Sequence, residues 1–237
     1  MNDSLVIDRK FNGPPASANG GYSCGVFAVR AEELIGTSRI LVALHSPPPL
    51  DTALRVEEEH RRVHFWHDDT LVASAAPTGL EIGTVGEVSA ADAAAARGNY
   101  YGRSGHPFPT CFVCGPRVDR PDGLALTPGV LAGSPNVTAC VWRPSGSPGE
   151  PAGSSVSAEL TWAALDCPGG WTADLTRTPM VLGRMTARLD ALPRLGETYV
   201  VTGRLDARRG RTMNTTTTLR HVDGTMLGGA SAVWVEI

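Results

Sequence analysis

Residues 19 to 36 read NGGYSCGVFAVRAEELIG, and two readings of them compete. Gly21-Tyr22-Ser23-Cys24-Gly25 has the G-x-S-x-G spacing of a serine-hydrolase nucleophile elbow, which needs a strand running into a sharp turn at the serine. What precedes Ser23 is FNGPPASAN (11–19), a Pro/Gly/Asn-rich loop, and no alternation of strands with helices follows. The nucleophile reading fails on that context. Val26 and Val29, and Phe27, Ala31 and Leu34, instead recur at three- and four-residue steps, with Gly36 as a stop. Residues 21–35 are therefore expected to form a helix, opened by Asn19-Gly20-Gly21.

Working outward, a short strand-like start (Leu5 to Asp8) precedes this helix and four strand-like runs follow it: RILVALH (39–45), TALRVE (52–57), RRVHFWH (61–67) and TLVASAAP (70–77). The second half repeats the order. VTACVW (137–142) reads as strand, SAELTWAALDC (157–167) as a helix stopped by Pro168-Gly169-Gly170, and four more strand-like runs fill residues 180–237. A helix followed by antiparallel strands buries its apolar side in the concave face of a curved sheet. The expected fold is thus α+β, with two curved antiparallel sheets each wrapped around a central helix. The expected domains are residues 1–88 and 123–237. Residues 89–122 would join them as a linker carrying an alanine-rich helix and a Cys111-x-x-Cys114 loop.

Bulk properties narrow the function classes. The 237 residues are 42% hydrophobic and 19% charged, enough for a substantial core. Lys10 is the only lysine and the formal net charge is -3, so no broad basic face is available to nucleic acid. No run approaches the roughly 20 apolar residues of a membrane span, and MNDSLVIDRK has no leader-like pattern; a cytoplasmic location is expected. Five irregularly spaced cysteines read as reduced thiols and not as a disulfide framework.

The order strand, loop, glycine-opened helix and four antiparallel strands resembles the hotdog fold of acyl-CoA thioesterases and dehydratases, here as a tandem or double hotdog. Asn19-Gly20-Gly21 resembles the opening of the family's H-G-G-x6-[D/E] motif, with Asn in place of His. CFVCGPRVDRPDGL (111–124) resembles the Cys-rich lead-in of related thioesterase-like proteins, and TWAALDCPGGW (161–171) their central helix. The resemblance implies an enzyme that hydrolyses acyl-CoA or acyl-carrier thioesters. It also implies a site shared between two hotdog units, one supplying a helix start and the other an acid. Nine residues after Asn19 stands Ala28, whereas nine before Asp166 stands Ser157. One composite site is expected, Gly20-Gly21 with Asp166, and its counterpart, Ser157-Ala158 with Ala28, lacks the necessary groups.

In that site the Gly21 and Tyr22 N–H groups would meet the thioester oxygen, since a helix start presents unpaired donors. Asp166 would activate water or attack directly. Asn19 would cap the helix or touch the thioester, with Gly20 beside it and Cys24 lining an acyl pocket. Glu159 and Trp162 share the helix face of Asp166 and are candidates for the substrate side, although for Trp162 packing between the two central helices is the stronger expectation. The absent helix-start His counts against dehydration. A non-catalytic acyl or small-ligand binding protein is the alternative. Arg103, Arg117, Arg120, Arg184 and Arg188 are candidate phosphate contacts by residue type alone. No cofactor and no metal is expected: the C-x-x-C pair would need two further ligands, and only His106 is near in sequence. The tandem would act as a pseudo-dimer, with further homo-oligomerisation left open.

Overall fold

The computed structural model describes residues 4–116, 120, 122–146 and 151–237. Helix α1 spans Gly20–Ile35, as the periodicity predicts. The Asn19 side chain caps it by accepting the Tyr22 N–H at 2.9 Å, and Gly36 ends it with φ at 78°, its N–H returning to the Glu32 carbonyl. Strand β1 (Ser4–Val6) precedes it; β2 (Ile40–Leu44), β3 (Ala53–Glu59), β4 (Arg62–His67) and β5 (Thr70–Pro77) follow. The second half contributes α2 (Ala90–Ala96), β6 (Gly129–Leu131), β7 (Ser134–Trp142), α3 (Ala158–Gly170), β8 (Met180–Leu189), β9 (Tyr199–Arg209), β10 (Thr212–His221) and β11 (Met226–Glu236).

The two expected sheets are joined into one: among the described residues the strands form a single eleven-stranded antiparallel sheet, ordered β1-β3-β4-β5-β2-β8-β11-β10-β9-β7-β6. Outward from the β2–β8 seam, the order β2-β5-β4-β3-β1 on one side is mirrored by β8-β11-β10-β9-β7 on the other. The seam pairs Leu41, Val42 and Ala43 with Thr186, Met185 and Arg184, and the Thr186 hydroxyl donates to the Ile40 carbonyl at 2.8 Å. Two strands that would otherwise be open edges thereby satisfy each other's backbone groups.

Both long helices lie on this sheet and against each other. A Cβ on Gly21 would stand 2.3 Å from the Asp166 Cβ, and one on Gly25 would stand 2.8 Å from the Glu159 Cα. Position 21 faces 166 while 25 faces 159, so the helices run antiparallel at a separation that only glycine permits. Phe27 meets Phe65 of β4 with ring centroids 4.2 Å apart, and both are fully buried.

A correction concerns α3, which does not stop at Pro168 but continues to Gly170. Proline costs a helix one internal N–H, and here the last turn is held from outside. The Thr138 hydroxyl donates to the Pro168 carbonyl at 2.6 Å, and the Trp171 N–H closes on Cys167 at 3.0 Å. Cys167 is thereby held beside Asn19 at the start of α1, and Trp171 beside Cys114. No helix is long and apolar enough to cross a membrane among the described residues.

Candidate active site at the junction of α1 and α3

The loop Phe11–Ala18 delivers the chain to α1 with Asn19 only 4% exposed. The Asn19 carboxamide oxygen accepts the Tyr22 N–H, while the Asn19 amide lies 3.7 Å from Cys111 Sγ and 4.0 Å from Cys167 Sγ. The next donor, the Gly21 N–H, reaches across to α3 and donates to Asp166 Oδ2 at 3.0 Å. Asp166 is 1% exposed, and its Oδ1 has no hydrogen-bond partner among the described residues. Burial pushes this carboxyl up to about 8, against the opposing pull of the Gly21 N–H. An acid that titrates near neutrality at a helix start is suited to move protons.

Ser23 is fully buried and its hydroxyl donates to the Asn19 carbonyl at 2.8 Å, one turn back along the helix. It is a helix-interior residue whose proton is held by the helix backbone. Cys24 is also fully buried, its thiol pushed up by burial and by the nearby Asp166.

A cavity of about 520 Å³, walled mainly by apolar groups, opens at this junction. Of the residues expected from sequence, Asn19, Gly20 and Asp166 line it; Gly21, Tyr22, Cys24, Glu159 and Trp162 do not. The Tyr22 N–H is taken by its cap, and the Tyr22 ring stacks on Phe11 at 3.8 Å and meets Phe112 edge-on at 5.6 Å. Trp162 instead lines a second cavity of about 420 Å³ together with Ala158, Glu32 and Arg188. Of the counterpart residues only Ala158 lines that cavity; Ser157 and the fully buried Ala28 do not. Glu159 packs its backbone against Gly25.

Of the candidate arginines, Arg120 is committed to structure. Its guanidinium donates to the Lys10 and Thr110 carbonyls and to Asn12 Oδ1, and pairs with Asp122 at 3.3 Å. Arg188 pairs with Asp190 at 3.2 Å, Arg103 and Arg184 are exposed, and Arg117 lies outside the described residues.

Sequence reasoning missed the company that Asp166 keeps. Cys111, Cys114 and Cys167 are all buried, and their sulfurs lie within 4.8 Å of one another. The Cys114 thiol stands 3.8 Å from the Cys111 sulfur. Thiol donors from Cys114 and Cys167 hold Cys111 well below the ordinary thiol range. The Trp171 indole N–H donates to Cys114 Sγ at 3.3 Å, and His106 Nε2 lies 3.5 Å from the same sulfur. The signal was present in sequence as a C-x-x-C pair and a cysteine next to the singled-out acid, but nothing local joined them.

A central helix laid on an antiparallel sheet, repeated in one chain with the two helices packed together, is the arrangement of hotdog-fold proteins. The chain is similar to a protein of unknown function with a hot dog fold from Alicyclobacillus acidocaldarius, at 13% identity and TM-score 0.60, covering 99% of this chain and 92% of that one. It is likewise similar to a tesB protein from Mycobacterium avium subsp. paratuberculosis, at 11% identity and TM-score 0.60, covering 94% and 89%. No known family profile and no curated protein matches the sequence. At these identities the likeness fixes the fold, and the site must argue for itself.

Proposed function

We propose that this chain is a double-hotdog acyl thioester hydrolase with one composite site, in which α1 of the first half supplies the helix start and α3 of the second supplies the acid. The observation that carries the reading is the Gly21 N–H to Asp166 Oδ2 bond at 3.0 Å. It unites the glycine pair left without an acid in one half with the acid left without glycines in the other, at the wall of a cavity of about 520 Å³. That volume lies within the roughly 300–1,000 Å³ of small-molecule sites.

The chemistry runs through the chain's own groups. Ionised Asp166 takes a proton through Oδ1, which has no partner among the described residues, from a water that adds to the thioester carbon; the C–S bond then breaks and the departing thiolate takes that proton back from Asp166. The Gly21 N–H does not line the cavity; it stays on Oδ2, holds the carboxylate in place and makes no contact with the thioester oxygen. The Tyr22 N–H stays with the Asn19 cap and makes no such contact. An acyl chain fits the apolar cavity wall, and CoA is the carrier first to test.

One observation favours a second reading, a non-catalytic acyl or small-ligand binding protein: the Gly21 and Tyr22 N–H groups of α1 already have protein acceptors. Thiol release from acyl-CoA esters of graded chain length separates the two. Turnover supports hydrolysis; saturable binding without thiol release supports the binding protein.

A further inference from the structure

Three sulfurs from two distant parts of the chain converge beside the cavity. Cys111 and Cys114 come from the loop before β6, and Cys167 comes from the last turn of α3. Their sulfurs lie within 4.8 Å of one another, and the Cys111–Cys114 separation is 3.8 Å. Two thiolates on one tetrahedral zinc ion at about 2.3 Å each stand about 3.8 Å apart. The third sulfur needs at most a shift of about 1 Å to complete such a face.

Beside the Asp166 carboxyl, three N–H donors surround the sulfurs. Trp171 Nε1–H points at Cys114, and the Asn19 amide lies beside Cys111 and Cys167. His106 Nδ1 accepts the Phe108 N–H at 2.9 Å, which leaves the ring proton on Nε2, 3.5 Å from Cys114 Sγ. All three are N–H donors to sulfur, the surroundings that stabilise metal-bound thiolate charge. His106 is thereby a donor to a ligand, and not itself a ligand. The loop is also rigidly backed: the Tyr100 hydroxyl donates to the Cys114 carbonyl at 2.6 Å, and the Phe112 and Leu126 N–H groups bond to the Asn12 and Val113 carbonyls.

The geometry points to a thiolate metal site, Cys111–Cys114–Cys167, that takes one zinc ion and leaves its fourth position open to the cavity those three residues line. Three protein ligands with an open position is the coordination that zinc shows where it meets water or substrate, and a closed structural site would have four. The two ligands that the C-x-x-C pair lacked in sequence are thus answered by Cys167 and the open position. The inference is independent of the hydrolase reading, because the site is defined by metal content and not by turnover.

Its test is the metal stoichiometry of the full chain, purified under reducing, chelator-free, anaerobic conditions with zinc supplied. One zinc per chain is expected. Stripped chain refilled with Co²⁺ should show sulfur-to-cobalt charge transfer with the intensity of three thiolates and the visible bands of tetrahedral cobalt. Cys111→Ser and Cys167→Ser should each lose the metal, whereas Cys24→Ser and Cys140→Ser, at buried cysteines outside the cluster, should retain it. The cobalt spectrum of the wild type keeps the test decisive if a serine variant fails to fold. A reduced wild-type chain that binds neither ion, or one in which cobalt shows no thiolate charge transfer, overturns the site. Retention of full metal by Cys167→Ser also overturns it.

Discussion

Replacing Asp166 by Asn should make the stability of the protein less dependent on pH, by an amount the site itself sets. The carboxyl titrates at an ordinary value of 3.8 in the unfolded chain and is pushed up to about 8 by burial in the fold. Between those values the folded state binds the proton and the unfolded state does not. Its contribution to stability is therefore fully present below the unfolded value and is lost as pH rises towards 8, at about 1.4 kcal/mol per pH unit. Between about pH 5 and pH 8 the wild type should lose about 3.5 kcal/mol relative to Asp166→Asn, whose amide cannot ionise yet can still accept the Gly21 N–H. For a chain of this length that is a relative change in Tm on the order of 10 °C. Thermal unfolding of both proteins across that range, reduced and stripped of metal, reads it, and the titrating groups that do not interact with Asp166 cancel in the difference. The two curves should lie close together near pH 5 and separate as pH rises, with the wild type falling below. A Tm difference that stays constant with pH would refute the claim that this carboxyl is buried and held near neutrality.

Gly21→Ala places a Cβ 2.3 Å from the Asp166 Cβ; it should cost roughly 1–3 kcal/mol in denaturant melts by overpacking the helix crossing. Asn19→Ala removes the cap on the Tyr22 N–H and should cost about 1 kcal/mol in the same measurement, with Asn19→Ser, whose hydroxyl can accept that N–H without adding a charge, recovering part of it. Thr186→Val deletes the buried hydroxyl that donates to the Ile40 carbonyl at the β2–β8 seam and should cost about 1–2 kcal/mol; hydrogen exchange should quicken at the seam before it does at β10.

Much of the fold was legible because its signals are local. The i, i+3, i+4 spacing from Val26 to Leu34, with Asn19 and Gly36 at the ends, gave α1 its limits, and two strand-like runs joined by the Asp68-Asp69 turn gave β4 and β5 theirs. The seam was not legible, because whether β2 pairs with β8 or stays an edge depends on the geometry of the whole sheet. The continuation of α3 through Pro168 was hidden for the same reason: Thr138 and the packing of β9 hold a turn that local propensity would end. At the site, the complementary losses of glycine and acid between the halves pointed to Gly21 and Asp166, which the structure brings into contact. The Tyr22 N–H was read as a free donor because the capping choice of Asn19 cannot be seen in sequence. The cysteine trio was split by more than fifty residues and carried no periodic signature.

The central claim, that Asp166 serves a hydrolytic site shared by α1 and α3, is tested most directly by the pH dependence of thiol release from an acyl-CoA substrate by wild type and Asp166→Asn. Since the base works only when ionised, kcat/KM of the wild type should rise with pH through an apparent value of about 8 and level off above it. The Asn variant should be slower by about 10²–10⁴-fold and lack that inflection. Equal rates for the two proteins, or a wild-type profile flat through this range, would contradict the account.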